Sequence, residues 1–212
     1  MLPAYQDAQL RIHHRFAKNK DLTIIGVGGW DQYRLYKDGR GSDALLYNVG
    51  YIPEGDQQTE VIGARYRIFK DNGRWEYVLS RDHVGNQAEK YIGNTGIPED
   101  RQLAYASSET NTRANLTHYV VSEQWQWKYG LNFVHRDYDL DMTSVRYNND
   151  ETVQRIDTAD YTSALSFQSL GGFTHVTRNY LENRLSTSAG LRLDMHNLNL
   201  NSLLRISPRA SA

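Results

Sequence analysis

Trp125-Gln126-Trp127-Lys128-Tyr129-Gly130-Leu131-Asn132-Phe133 is the stretch that decides the fold. Trp125, Trp127, Tyr129, Leu131 and Phe133 occupy alternate positions, and Gln126, Lys128, Gly130 and Asn132 fill the gaps. On a helix of 3.6 residues per turn the apolar set winds around the cylinder, whereas on a strand it forms one continuous face. The same period recurs along the chain. Ala8, Leu10, Ile12 and Phe16 oppose Gln9, Arg11, His13 and Arg15; Ile62, Ala64, Tyr66 and Ile68 oppose Gly63, Arg65 and Arg67; Leu185 to Met195 alternates in the same way. Asp71-Asn72-Gly73-Arg74 is a tight-turn signal before Trp75, Tyr77 and Leu79. Tyr161, Leu165 and Phe167 mark a further strand, with a bulge expected at Gly171-Gly172. The chain reads as all-β, built of antiparallel hairpins.

Connection lengths alternate as well. Short ones are read at Ala17 to Asp21, Lys70 to Arg74, Val121 to Gln124 and Asn179 to Asn183. Long ones are read at Tyr36 to Gln57, Asp82 to Arg101, Asp137 to Thr158 and Asn197 to Leu203. Short and long in strict turn place all short connections at one end of the sheet, and Gly39, Gly93 and Asn148 at the other. Strands well past ten residues with Lys- or Arg-bearing polar faces exceed what a soluble sandwich uses. They fit an up-and-down transmembrane β-barrel, apolar outward and polar inward, with short turns on one side, long loops on the other and aromatic girdles.

Composition agrees. The 212 residues are 39% hydrophobic and 23% charged, with 15 Tyr, 5 Phe and 4 Trp, yet the mean hydropathy is −0.69. Aromatic enrichment argues against disorder. The longest apolar run, Leu22 to Trp30, is half what a spanning helix needs. With 24 basic against 25 acidic side chains there is no basic excess to hold nucleic acid. The absence of cysteine removes disulfides, thiolate metal sites and cysteine nucleophiles. Leu2-Pro3-Ala4-Tyr5-Gln6-Asp7 after Met1 has neither the charged nor the apolar region of a signal peptide. The chain is therefore read as cytosolic or as a piece of a longer precursor.

Several segments resemble the barrel of a TonB-dependent outer-membrane receptor of the Bacteroidetes type. They are Leu2 to Asp7 opening a strand, Leu22 to Leu35 with its Gly-x-Gly-Gly-Trp-Asp-Gln-Tyr centre, Gly190-Leu191-Arg192-Leu193-Asp194, and Ser207-Pro208-Arg209-Ala210-Ser211-Ala212 starting the next strand. Nothing resembles a plug domain, a TonB box or a final strand ending in an aromatic residue. About eight to nine strands at roughly 25 residues each is well short of the 22 of a plugged transporter. The expectation is thus a partial barrel, residues 1–212 forming a single segment of an outer-membrane β-barrel domain whose terminal strands, Tyr5 to Phe16 and Leu203 to Ala212, do not pair. The resemblance implies import of a bulky nutrient such as a siderophore or glycan. It also implies, as partners, outer-membrane lipid, the remainder of the barrel and plug, and the TonB complex, with no cofactor, no nucleic acid and no catalysis. The alternatives are a complete eight-stranded barrel with a structural or adhesion role, and a soluble carbohydrate-binding β-protein.

The candidate ligand contacts are Arg81, His83, Asn86 and Tyr91, read as loop residues, with Arg192 and Asp194 on the inward face, the last two read foremost as an ion pair of the lumen wall. Asp137, Asp139 and Asp141 have the opening spacing of a calcium loop, but Met142 stands where its glycine belongs and Asn148 where its glutamate belongs. They are read as a solvated strand end. His13 and His14 point to opposite faces and cannot chelate together. Gly26-Val27-Gly28-Gly29 lacks the strand–loop–helix setting of a phosphate cradle, and no Gly-x-Ser-x-Gly or His-Glu-x-x-His motif occurs. Trp75, Trp125 and Trp127 are read as girdle residues, while the run around Trp30 fits either facing and leaves stacking on a sugar open.

Overall fold

Nine strands pair in chain order into one antiparallel sheet. In the computed structural model, which describes residues 2–35, 47, 50, 52–150, 153–181, 184–198 and 204–211, they are β1 (Leu2–Ala17), β2 (Lys20–Arg34), β3 (Glu54–Lys70), β4 (Gly73–Tyr91), β5 (Arg101–Val121), β6 (Trp125–Asp150), β7 (Val153–Tyr180), β8 (Leu185–His196) and β9 (Leu204–Ser211). β1 and β9 are the two edges, and no pairing joins them among the described residues. The four short connections lie at one end, laced to neighbouring strands by backbone bonds such as Val121 N–H to the Asn72 carbonyl at 2.9 Å and Asn179 N–H to the Gln124 carbonyl at 3.1 Å.

Directly opposed residues share a face, so the register sorts every side chain. One lateral row runs Ile12, Ile24, Ala64, Leu79, Ala114, Phe133, Leu170, Met195, Leu204; the next runs His14, Leu22, Tyr66, Tyr77, Leu116, Leu131, Gly172, Leu193, Ile206. This apolar face is the exposed one: Leu131 is 55% exposed, Leu79 58% and Ile206 59%. The buried polar residues Asp21 (1%), Thr23 (2%) and Asn111 (3%) stand on the other face. A globular domain does the reverse. Side chains crowd on the concave side of a curved sheet, so the polar face is the inner wall and the apolar face the outer one. Trp125, Trp127, Tyr129, Leu131 and Phe133 thus point outward, and Lys128 and Asn132 inward, as the alternation predicts. Near the short turns the outer face carries an aromatic cluster, Trp75 stacked on His118 at 4.0 Å and His118 Nδ1 bonded to Tyr129 Oη at 2.7 Å.

Several expectations need correction. Asp82 to Arg101 is not a long loop, since β4 runs to Tyr91 and leaves only 92–100 as connection, with 3-10 turns at Ile92–Asn94 and Pro98–Asp100. Asp137 to Thr158 is not a loop either: β6 and β7 continue to Asp150 and from Val153. Gly39 lies outside the described residues, while Gly93 and Asn148 are at the far end. No bulge interrupts β7 at Gly171-Gly172, which pair in register with Asn132 and Leu131 and with Asp194 and Leu193. Pro208 does not start its strand but stands opposite Leu191 within β9, an edge, where a missing N–H is tolerated.

One cause underlies the misread loops and the misread bulge. The apolar set changes parity part-way up the strands. On β6 the outward set becomes His135, Asp137, Asp139 and Asp141 above Phe133, while Tyr138, Leu140 and Met142 turn inward; on β7 Tyr161, Leu165 and Phe167 face inward and Leu170 outward. The register is unbroken, so what changes is the environment outside the wall, apolar below and aqueous above. This locates the upper edge of the apolar band at the row through Phe133. Leu131→Arg, one row inside the band, should therefore cost roughly 1–3 kcal/mol, and His135→Arg, four residues up the same face, about 0–1 kcal/mol. Urea unfolding in lipid vesicles measures both, and equal costs would place the band elsewhere.

Candidate functional site: the inner wall

The inner wall has three tiers. Nearest the short turns, Asp21 accepts from Arg67 Nε and Nη2 at 2.9 and 2.8 Å, and Arg192 donates from Nε and Nη2 to the two Asp194 oxygens at 2.7 and 2.6 Å. Arg192 also donates to Asn132 Oδ1 at 3.1 Å. Gly171 makes room for this group, because a Cβ there would collide with the Asp194 carboxylate and the Asn132 amide. The double glycine thus serves packing around an ion pair. Other cations of the tier lack carboxylate partners among the described residues: Arg74 lies over the Tyr119 ring at 4.0 Å, and Lys128 is flanked by Tyr119 at 5.2 Å and Phe173 at 5.5 Å. Arg74 and Arg65 each bury an Nε with no hydrogen-bond partner.

The middle tier centres on Asn111, which donates to Asp82 at 2.8 Å and Glu109 at 2.9 Å and accepts from Arg136 Nε at 2.5 Å. Arg113 pairs with Asp82 and Arg136 with Glu109. Both capacities of the amide are used, which explains how a polar side chain is buried so fully here.

In the upper tier the inner face turns aromatic. A cavity of about 450 Å³ is lined by Tyr5, Tyr33, Tyr105, Asp31, Gln57 and Asn86, among others. A concave patch of phenol rings with a few amides and carboxylates has the make-up of a small-molecule site.

The six sequence-derived candidates do not converge. Asn86 lines the upper cavity. Arg192 and Asp194 are on the inner wall and pair with each other. Arg81 and His83 are not loop residues but β4 positions facing outward, in the rows of Ile62 and Glu60. Tyr91 ends β4 and donates to Glu89 Oε2 at 3.0 Å, and that carboxylate pushes its phenol up from the ordinary value. Tyr33 and Tyr105 carry no signal in the sequence, because their strands have no clean alternation at that height and only the register puts them beside Asn86.

No protein-family model matches the sequence, and no curated protein matches it. Among solved structures, a copper transporter, OprC, superposes with a TM-score of 0.64 at 14% identity over 99% of this chain. The fold is a stretch of β-barrel wall. A weaker likeness, with a TM-score of 0.49 and 11% identity over 98% of this chain, is to BauA, the ferric preacinetobactin receptor from Acinetobacter baumannii. This chain spans 33% of the length of the first and 36% of the second.

Asp21 with Arg67 is the most enclosed ion pair of the wall. Asp21→Ala should destabilise by about 1–3 kcal/mol by removing the carboxylate that holds the guanidinium, whereas Asp21→Leu with Arg67→Met should recover most of the loss. Denaturant midpoints of the two variants decide it; a double variant no better than the single would show that the pair is not the operative interaction.

Proposed function

We propose that this chain is part of the barrel wall of an outer-membrane receptor of the TonB-dependent kind, through which a bulky nutrient enters. The observation that carries the reading is the inverted polarity of one long antiparallel sheet, with apolar side chains exposed on the outside and the buried polar side chains Asp21, Thr23 and Asn111 on the inside. The likeness in fold to a transporter more than twice its length supports it. So do the two bare edges, which hydrocarbon does not tolerate and which further strands of the same barrel would cover. The wall cations without carboxylate partners suit an occupant of the lumen with an acidic surface, the role a plug domain would take. The aromatic cavity holding Asn86 then lies in a ligand's path on the outer side of the lumen, and energy would come from TonB at the inner membrane. The protein's part is passage, not catalysis.

This stretch has no cysteine of its own, so single cysteines placed in it test this in the complete protein once any cysteine elsewhere in it is replaced by serine. Thr95→Cys, in the 92–100 connection, should react with a membrane-impermeant maleimide on intact cells, and Asn72→Cys, in a short turn, only after the outer membrane is opened. Asn86→Cys should label from water and Leu131→Cys should not. Labelling of Asn72→Cys on intact cells would reverse the orientation; labelling of Leu131→Cys would remove the lipid-facing assignment.

A further inference from the structure

One sizeable cavity among the described residues is not in the lumen. It is a trough of about 620 Å³ crossing β2 to β7 on the outward face, above the apolar band. The outward positions that line it include Trp30, Gln58, His83, Gly85, Ser108 and Asp139, and inward-pointing residues lie between these outward rows. Its floor is made of small residues and its end is an aromatic ring. Trp30, 40% exposed, reaches with the far edge of its indole over Gly28, where any Cβ would meet Cη2 at 2.7 Å. His83 is held by a 2.9 Å bond between Nδ1 and Thr110 Oγ1, and its Nε2 lies 3.6 Å from where a Gly85 Cβ would be. One imidazole nitrogen is anchored and the other is turned toward the trough. Gln58 spends its amide N–H on Glu60 at 2.7 Å and keeps its carbonyl for another donor.

An indole face, an imidazole nitrogen, an amide carbonyl, a hydroxyl and a carboxylate over a small-residue floor match a polyhydroxylated ring, whose C–H face stacks on an aromatic and whose hydroxyls need both donors and acceptors. Asp139 and Asp141 repel phosphate, so the fit is to neutral sugar. Height supplies the source. From Ala64, on the row through Phe133 that marks the upper edge of the apolar band, to Gln58 is six residues, about 20 Å along the strand, which puts the trough above the headgroup layer, at the height of the sugars of a membrane-anchored saccharide. We propose that this trough holds the neutral sugars of an outer-leaflet glycolipid, with Trp30 as the stacking face and His83, Gln58 and Asp139 as hydroxyl partners. The proposal rests on the outer-membrane reading above.

The test uses the complete protein in phospholipid nanodiscs and native mass spectrometry. The probes are lipopolysaccharide bearing a core oligosaccharide, the same lipid truncated to its acylated disaccharide, and the free core oligosaccharide. The wild type should retain the full glycolipid about tenfold better than the truncated one, and Trp30→Ala and Gly85→Gln should each erase that difference while leaving the truncated lipid's retention unchanged. Gly85→Gln fills the trough without a backbone clash, and the wild-type comparison decides even if a variant misfolds. Equal retention of the two lipids by the wild type would overturn the proposal, as would a folded variant that keeps the full difference. Tighter capture of the free oligosaccharide than of the lipid would overturn the glycolipid as occupant. The readout is indifferent to what the lumen transports, and maleimide labelling separately reports failure of the membrane reading.

Discussion

Hydrocarbon cannot hydrogen-bond, and the rest of the molecule follows from that. A backbone crossing it must satisfy every N–H and C=O within protein, which a laterally continuous antiparallel sheet does and an irregular segment does not. Pairing in chain order keeps each strand beside its sequence neighbour, so the solution needs only short reversals on one side. It also frees side chains from making a core. The face against lipid must be apolar at whatever height lipid reaches, and the opposite face is left to pair its own charges.

The inner wall shows how that second demand is met. Asp21 is almost fully enclosed although it is charged, and it survives because Arg67 reaches it from the adjacent strand with two parallel N–H bonds, the geometry that best offsets desolvation. Asn111 does comparable service between two acids and an arginine. These groups stiffen the wall laterally, strand to strand, where a globular protein would use interlocking aliphatic side chains. Where carboxylates run short, Arg74 and Lys128 rest on aromatic rings, a weaker but sequence-local way of holding a cation.

The period of two and the aromatic cluster were legible in the sequence because they are properties of single strands. Trp125 to Phe133 states its own facing without help from any neighbour. What escaped reading is whatever depends on height or on register. Asp137, Asp139 and Asp141 look like loop because charge on the outward face breaks the amphipathic pattern, yet above the lipid edge that pattern has no reason to persist. Tyr161, Leu165 and Phe167 were visible as a strand, but their facing, opposite to that of Leu170, needed the pairing with β6. Arg81 and His83 have the chemistry of loop contacts but stand on β4, and their outward facing follows only from the pairing with β3. Tyr33, Tyr105 and Asn86 lie 72 positions apart at most and share a wall only through the pairing of β2, β3, β4 and β5.

β6 and β7 are by far the longest strands, 26 and 28 residues, and only the stretch below Phe133 is wanted by the membrane. The remaining 17 residues of β6 add roughly 55 Å of strand, whereas β8 has almost none to spare beyond Met195. The rim is therefore uneven, a tall prow on one flank and a low sill on the other. Anything approaching this stretch of wall from above therefore meets β6 and β7 long before it reaches the level of β8.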